Sequence, residues 1–357
     1  MVRRAVRWLV PVGIAAAVVG ATLVSPASAG TALPERTPQQ LLTDVQGATA
    51  TAVQGTVQVQ ADLGLPSLPD VAGGPAAHRT DLLSALSGTT TMRVWASPAG
   101  ARVAVQGTLG ETDVVTDGDQ VWVWSAADRS VTHLTRPAGD PVTHGAGSDP
   151  RAALADLAPA RLSAAILAAL DPSTAVTSGP DTTVAGRPAY QLVLTPRDAG
   201  TLIGSVTIAI DAAERVPTRV TITSTRTGKA ALTAGFTDVS FTAPDPAMFR
   251  FTPPAGATVT TPDQPGAQSD RPGAPTVRAV GQGWVSVLVL SGLPSAASAP
   301  SGDLTGLASW VDTLPRTSGP WGSGRVLSSN LLSALLTDDG RVLVGAVDVA
   351  TLEAAAG

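Results

Sequence analysis

Hydrophobic and polar residues alternate along much of the chain, and the alternation is clearest between Asp113 and Thr135. A turn at Asp117-Gly118-Asp119 separates two alternating runs, and the second run places Trp122 and Trp124 on one side. A period of two is that of a β-strand with one covered face. The segment therefore predicts a hairpin whose two indole rings share one face of a sheet.

Before this hairpin the pattern changes from a helical to a strand period. Thr37 is a good N-cap and Pro38 a good first helical residue, and apolar residues follow at helical spacing up to residue 48. Residues 53–63 alternate, with Val57 and Val59 facing one way. A short helix is predicted at residues 81–86. Five further strands joined by Gly, Pro and Asp turns are predicted at residues 90–97, 101–107, 111–116, 120–125 and 130–135.

The second part of the pattern begins with an Ala- and Leu-rich helical insertion at residues 151–170, which Pro159 divides in two. Strands then follow at residues 175–178, 187–195, 204–211, 217–224 and 230–241. The order of one helix, six strands, helices and five strands predicts an α+β fold. We expect one large antiparallel sheet of about 11 strands with the helices gathered on one side.

The chain is predicted to divide into four parts. Residues 1–29 are a signal peptide and residues 30–253 form the large sheet domain. Residues 254–275 are a linker, because Pro and Gly recur there without periodicity. Residues 276–357 form a small α+β unit with the apolar strand GWVSVLVL, a turn at residues 338–340 and a closing helix from Val349.

The N-terminus has the three parts of an export signal. Arg3, Arg4 and Arg7 are basic, an apolar stretch follows, and Ala27-Ser28-Ala29 is a small-residue cleavage site. We expect cleavage after Ala29 and an extracytoplasmic location, with an uncleaved N-terminal anchor as the alternative.

Composition narrows the function classes. Loss of the three signal arginines takes the formal charge from −5 to −8, so a basic surface for nucleic acid is not expected. The chain has no cysteine, which excludes disulfides, thiolate catalysis, zinc-thiolate sites and lipid attachment to a cysteine.

Candidate catalytic and metal-binding residues are few. His78, His133 and His144 lack the paired spacing of a metal site, and they are better explained as solvated residues. The carboxylates at residues 111, 113, 117 and 119 could suggest calcium, but Asp and Gly at hairpin corners are expected for turn geometry alone. We find no nucleophile elbow and no phosphate-binding glycine loop. The sequence therefore predicts no cofactor, no metal and no enzyme activity.

Aromatic residues make up 3% of the chain, so the strand tryptophans are informative. Trp122 and Trp124 share a face, as do Arg93 and Trp95 on an earlier strand. One interpretation is that the 151–170 helices simply pack on this indole face. The other is that these helices are a lid over an apolar cavity that accepts acyl chains. The two are compatible, because a lid packs on an empty cavity.

The order of elements and the segment TDGDQVWVWSAADRSVTHLT resemble the LolA/LolB/LppX lipoprotein-localisation superfamily over residues 37–253. The matching positions are residues 41–60, Asp117-Gly118, Trp122 and Trp124. The resemblance implies an unclosed, half-barrel antiparallel sheet with helices on its concave side. It also implies an arginine that ties the lid to the sheet, for which Arg93 is the candidate by strand position.

The second unit adds a further resemblance. A half-barrel, a linker and a small domain with GWVSVLVL and DDGRVLVGAVDVATLEAAA are similar to the RseB/MucB regulators of envelope stress. That resemblance implies a lipid-sensing domain and a smaller domain that binds a membrane-bound anti-sigma factor.

Together these observations predict an exported, non-enzymatic carrier or sensor of a lipid or an acylated lipoprotein. The alternative is an RseB/MucB-like regulator whose partner is an anti-sigma factor. The predicted hydrophobic cavity is lined by Trp95, Trp122, Trp124, Val57, Val59 and Phe236, and the predicted lid contact is Arg93.

Overall fold

The computed structural model describes residues 33–46, 52–65, 88–107, 110–135, 158–168, 170, 172–261, 276–292 and 310–357. The predicted signal peptide, the short helix at residues 81–86 and the first half of the helical insertion lie outside the described residues.

A twelve-stranded open sheet is the main element of the fold. Its neighbours run in the order β12-β6-β5-β4-β3-β2-β1-β11-β10-β9-β8-β7, so two meanders are joined where β1 pairs with β11. Only β12 is parallel to its neighbour, β6. The unclosed antiparallel sheet predicted from the sequence is confirmed. The strands are β1 Val53–Ala61, β2 Thr89–Ser97, β3 Gly100–Gly107, β4 Gly110–Asp117, β5 Gln120–Ser125, β6 Ser130–Thr135, β7 Thr174–Val184, β8 Arg187–Pro196, β9 Ile203–Asp211, β10 Pro217–Ser224, β11 Ala230–Ser240 and β12 Thr258–Thr260.

The twelfth strand lies in the stretch that we predicted to be a linker. Three residues, Thr258–Thr260, pair with β6, and Val259 is 49% exposed. So short a strand shows no alternation that a sequence pattern can reveal.

Register divides the sheet into two faces, because residues directly opposite each other on neighbouring strands point the same way. The inner face is the one that carries Val57 and Val59. One row across five strands of this face is aliphatic throughout: Leu192, Ile208, Val220, Ala234 and Val59. The other meander continues the inner face with Val94, Val103, Val114 and Val123.

Two helices pack on the inner face, as predicted. Helix α1, Pro38–Gln46, packs on β7 and β8, and helix α2, Pro159–Ala168, packs on β10 and β11. Leu41 of α1 and Leu162 of α2 are each 1% exposed and belong to the same core as the inner face.

The start of α1 follows directly from its sequence. The Gln40 N–H donates to Thr37 Oγ1 (3.2 Å), and the Thr37 N–H donates to Gln40 Oε1 (2.9 Å). This reciprocal pair is a capping box, which satisfies two backbone donors at the helix N-terminus. The predicted N-cap at Thr37 is therefore confirmed.

A six-stranded sheet forms most of the C-terminal unit, in the order β13-β14-β18-β17-β16-β15. Helix α3, Val349–Ala356, packs on β17 and β18 and buries Leu352. The predicted strand GWVSVLVL begins instead as a 3-10 turn at Gly283–Val285. The strands are β13 Thr276–Val280, β14 Val287–Ser291, β15 Arg316–Gly319, β16 Gly322–Ser328, β17 Ser333–Thr337 and β18 Val342–Gly345.

The two sheets meet at a seam that combines backbone hydrogen bonds with apolar insertion. The Asn330 N–H donates to the Leu63 carbonyl (2.7 Å), and the Ser224 hydroxyl donates to the Asn330 carbonyl (2.6 Å). Leu331 and Ala346 of the second unit are buried in the core of the large sheet. The C-terminal unit is thus joined to the large sheet by more than the chain that connects them.

A glycine permits a close approach in this seam. Gly200 has a φ of +88°, and a Cβ there would lie 2.5 Å from Thr351 Oγ1. The Gly200 carbonyl accepts a hydrogen bond from the Asp348 N–H (2.7 Å), which is at the N-cap of α3. A side chain at this position would separate the helix from the large sheet.

Candidate functional site

The inner face is the apolar surface that fits the predicted lipid site. Val57 and Phe236 are directly opposite each other on β1 and β11, and Val59 lies two residues further along. Val57 and Val59 are 0% exposed, and Phe236 is 4% exposed. Three of the six predicted cavity residues therefore lie together in the core beneath the helices.

Helix α2 covers this region with an apolar surface. Its buried residues are Pro159, Leu162, Ser163 and Ile166. The Ser163 hydroxyl donates to the Pro159 carbonyl of the same helix (2.6 Å), so the one buried hydroxyl is satisfied locally. What α2 buries against β10 and β11 is aliphatic, and such a contact is non-directional.

Helix α1 is held differently, by ion pairs. Asp44 lies 3.2 Å from Arg36 Nη1 and also pairs with Arg215, which lies in the turn between β9 and β10. These side chains are between 19% and 29% exposed. An arginine thus ties a described helix to the sheet, and it is Arg215.

The predicted role of Arg93 does not fit its position. Arg93 is exposed and lies directly opposite Thr56 and Ala104, on the face away from α1 and α2. We predicted the arginine from strand position alone. Strand alternation identifies the residues that share a face, but it does not identify the face that the helices cover.

The three predicted tryptophans lie on this same outer face, away from Val57, Val59 and Phe236. Trp95 is opposite Gln54 and Arg102, and Trp122 is opposite Val115 and His133. All three indoles are half-buried. The sharing of one face by Arg93 and the tryptophans is confirmed, but the pairing of these residues with Val57 and Val59 in one cavity wall is wrong.

The segment after β11, which includes a 3-10 helix at Pro246–Phe249, covers part of the outer face, and helices α1 and α2 do not. After β11 the chain passes over the first meander, where Phe249 is 1% exposed and packs against Gly100. Phe251 then contacts Trp122, with ring centroids 5.6 Å apart. The interpretation that the 151–170 helices pack on the indoles is therefore incorrect for α2, the part of them that is described.

Polar contacts organise the rest of the indole region. His133 stacks on Trp122 with centroids 3.7 Å apart, and its Nε2 lies 2.6 Å from Gln120 Oε1.

Arg102 donates twice to Asp113 (3.1 and 2.8 Å) and lies over the Trp95 ring, 5.8 Å from its centroid. Asp113 is thus engaged by an arginine. No group of three or more potential metal ligands occurs among the described residues.

A second buried carboxylate lies at the β8–β9 end of the sheet. Asp211 is 1% exposed and accepts hydrogen bonds from Arg187 Nε (2.5 Å) and Nη2 (3.1 Å). Burial alone would raise the pKa of Asp211, but the bonds from Arg187 and from the N–H groups of Glu214 and Ala213 outweigh it and hold the pKa below its ordinary value. This geometry indicates a structural ion pair.

Sequence reasoning missed three residues that the C-terminal unit places in the large core. Leu331 and Ala346 are buried there, and Trp284 packs against the same core while its Nε1 donates to Thr174 Oγ1 (2.8 Å). Their sequence signal is weak, because a buried residue in a loop has no periodicity.

In the parts of the chain that the structure describes, no helix is both long enough and apolar enough to cross a membrane.

Comparison with known proteins gives matches at the level of structure. No family model and no curated protein matches the chain. The crystal structure of MucB covers 88% of this chain and 94% of its own, at 18% identity and a TM-score of 0.43. The Pseudomonas aeruginosa MucA/MucB complex gives 89% and 96% coverage, 18% identity and a TM-score of 0.43.

A LolA superfamily protein from Nitrosomonas europaea matches a smaller part, with 61% of this chain and 99% of its own covered at 11% identity and a TM-score of 0.23. The chain is thus similar to MucB and to LolA superfamily proteins, the two groups that its sequence resembles. At these low identities and TM-scores, the similarity assigns neither a ligand nor a partner to this chain.

Proposed function

We propose that the protein is an extracytoplasmic, non-enzymatic carrier or sensor that binds the acyl chains of a lipid or a lipoprotein. The chains bind between the inner face of the large sheet and helix α2. The observation that carries this proposal is the aliphatic inner face, which continues across both meanders and is covered at β10 and β11 by the apolar side of α2.

The two helices both bury aliphatic residues, but only for α1 is an ion pair to the sheet described. Helix α1 is tied to the β9–β10 turn through Asp44 and Arg215, and the buried residues of α2 are mainly aliphatic. Acyl chains can replace an aliphatic contact with an equivalent one, at little cost in free energy. We therefore infer that α2 is the element that moves when the ligand enters.

Native mass spectrometry tests this proposal. Purified protein is delipidated, incubated with total cell lipids and separated from unbound lipid, and we expect acyl species to remain bound. Protein that stays empty under these conditions contradicts the proposal.

A pair of variants locates the site. Phe236→Gln introduces an amide into the inner face, and Trp124→Gln makes the same change on the outer face. We expect Phe236→Gln to lose bound lipid and Trp124→Gln to keep it. Because Phe236→Gln adds a polar group to the core, Leu162→Ala in α2 provides a second test that leaves the sheet intact. Equal lipid loss in the inner-face and outer-face variants would place the ligand elsewhere.

A second candidate function is regulation through a protein partner, the extracytoplasmic part of a membrane-bound anti-sigma factor. The observation that favours it is an open edge in the C-terminal sheet. Strand β13 is an edge strand, and Val277 on it is 48% exposed. An exposed strand edge is a template for adding a peptide strand from a partner.

Deleting residues 276–357 is a poor test of this function, because Leu331 and Ala346 belong to the large core. We suggest Val277→Pro, because proline has no N–H and disfavours the addition of a partner strand, with Val259→Pro on β12 as the matched control. A pull-down in which only Val277→Pro loses the partner supports this second function. Equal capture by both variants contradicts it.

A further inference from the structure

Arg219 is a half-buried arginine on the outer face of the large sheet. It lies on β10, directly opposite Gly235 of β11 and Ala209 of β9. Among the described residues, neither a hydrogen bond nor an ion pair reaches its guanidinium group. Burial lowers the pKa of Arg219, and no neighbouring charge contributes to that shift. An unpaired, partly desolvated cation is costly unless an anion completes it.

The side chain has a defined direction because Gly235 leaves room for it. A Cβ on Gly235 would lie 3.0 Å from Arg219 Cγ and 3.1 Å from Arg219 Nε. The arginine therefore lies across β11, toward β1. The next residue in that row is Gln58, which is directly opposite Gly235.

Gln58 adds donors at the same place. Its Oε1 accepts a hydrogen bond from Gln60 Nε2 (2.6 Å), which leaves the NH2 group of the Gln58 amide without an acceptor among the described residues. An amide NH2 has two donors and a guanidinium has five. Both groups lack acceptors, and they face each other across a glycine.

The charges around this position are mixed. Arg93 is exposed on β2, directly opposite Thr56, and it makes no ion pair among the described residues. Asp238 is exposed on β11 and also opposite Thr56, one row away from Gly235. Arg219 therefore lies in the same row as Gln58, and Arg93 and the Asp238 carboxylate lie in the next row, on either side of Thr56.

We propose that Arg219 and Gln58 form a binding site for a phosphate group over Gly235. This site lies on the outer face of the sheet, opposite the inner face where we propose that lipid binds. Guanidinium groups bind phosphate oxygens in pairs, and charge-assisted bonds of this kind are strong. Two positive charges around one site favour a phosphate, which carries up to two negative charges, over a single carboxylate. The site does not depend on the proposed lipid function, because Phe236 and Val59 point to the other side.

Titration calorimetry with inorganic phosphate at constant ionic strength tests this site. We expect saturable binding of one phosphate by the purified protein. Arg219→Gln should weaken binding at least tenfold, and Gln58→Ala should weaken it severalfold. Asp238→Asn should strengthen binding, because it removes the one carboxylate nearby.

Arg226→Gln is the matched control, since Arg226 is exposed in the turn after β10 and its loss changes the net charge equally. We expect this variant to bind phosphate within about twofold of the parent. An equal loss in Arg219→Gln and Arg226→Gln overturns the proposal, as does titration without saturation. Thermal melting gives a second measurement, in which phosphate stabilises the parent and Arg226→Gln but not Arg219→Gln.

Vesicles distinguish the source of the phosphate. If the site takes a lipid headgroup, vesicles containing phosphatidylglycerol should bind the parent and Arg226→Gln but not Arg219→Gln, and vesicles of phosphatidylcholine alone should bind less. If inorganic phosphate binds and neither vesicle does, the site takes free phosphate. Vesicle binding that both arginine variants reduce equally contradicts the headgroup version.

Discussion

The two faces of the large sheet are made from the same strands but have different chemistry. On the inner face, Val59, Ala234 and Val220 form part of an unbroken aliphatic row. On the outer face, the row beside it contains Gln58, Gly235 and Arg219. Each strand therefore contributes one residue to an apolar core and the next to a polar or aromatic surface.

This difference shows that the tryptophans of the first meander do not identify the core. The core is mainly aliphatic, with Phe236 and Tyr190 as its aromatic members, whereas Trp95, Trp122 and Trp124 lie on the other side. A half-buried indole packs through its ring while its edge remains in contact with water. On this face Trp122 lies directly opposite Val115 and Trp124 directly opposite Val131, and these valines are 1% and 0% exposed.

The largest expected effect comes from neighbouring residues of β11 that point to opposite faces. Leu232 is 0% exposed on the inner face, and Thr233 is part-buried on the outer face. We expect Leu232→Ala to lower the free energy of unfolding by about 2–5 kcal/mol, because it leaves a cavity in the core. Thr233→Ala should cost less than about 1 kcal/mol, since it removes one weak hydroxyl contact. Urea unfolding measures both.

Similar losses in these two variants would show that the outer face is as well packed as the inner one. The comparison of the two faces would then be incorrect for this part of the sheet.

The next effect concerns Asp211, the buried carboxylate paired with Arg187. Asp211→Asn should lower the free energy of unfolding by about 3 kcal/mol at pH 7, because it leaves Arg187 without its partner. The folded state holds the pKa of Asp211 below its ordinary value of 3.8. The stabilisation is therefore present above that pH and is lost as the pH falls through the lower, folded value.

We expect the difference between the parent and Asp211→Asn to shrink below about pH 4, as measured by urea unfolding across a pH series. Asp117→Asn, at an exposed turn, is the control and should change stability by less than about 0.5 kcal/mol. A pH-independent difference would mean that the ion pair does not stabilise the fold.

The tryptophans provide a smaller effect that separates stability from ligand binding. Trp122 stacks on His133 and contacts Phe251, so Trp122→Ala should cost roughly 2 kcal/mol, about half the value for a fully buried Trp. Lipid bound per protein should not change in native mass spectrometry, because the indole lies on the outer face. Loss of lipid from folded Trp122→Ala protein would show that Trp122 lines the lipid site after all.

The sequence was sufficient for the positions of the strands along the chain and for the residues of a strand that share a face, because a period of two repeats over several residues in each strand. Eleven of the twelve strands of the large sheet, helix α1 and the capping residue Thr37 follow from local patterns. Which face the helices cover could not be predicted in this way. Alternation is symmetric between the two faces, and only the packing of α1 and α2 distinguishes them.

Contacts between segments that are far apart in the chain could not be predicted from local sequence patterns either. The insertion of Leu331 into the large core and the position of Arg219 over Gly235 depend on residues far apart in the chain. The role we assigned to Arg93 shows the same difficulty, since Arg215 in a turn, with no strand period around it, pairs with the helix instead.

The smallest expected effect concerns how the two inner-face helices are held. Asp44 pairs with both Arg36 and Arg215, and these groups are partly exposed, so Asp44→Asn should cost only about 1 kcal/mol of global stability. Its local effect should be larger, because the ion pairs hold α1 on the sheet. Amide exchange in α1, including the Leu41 N–H that donates to the Thr37 carbonyl, should become faster in this variant, whereas exchange in α2 should stay the same. Equal acceleration in both helices would mean that they open together, and the distinction between an ion-paired helix and an apolar lid would fail.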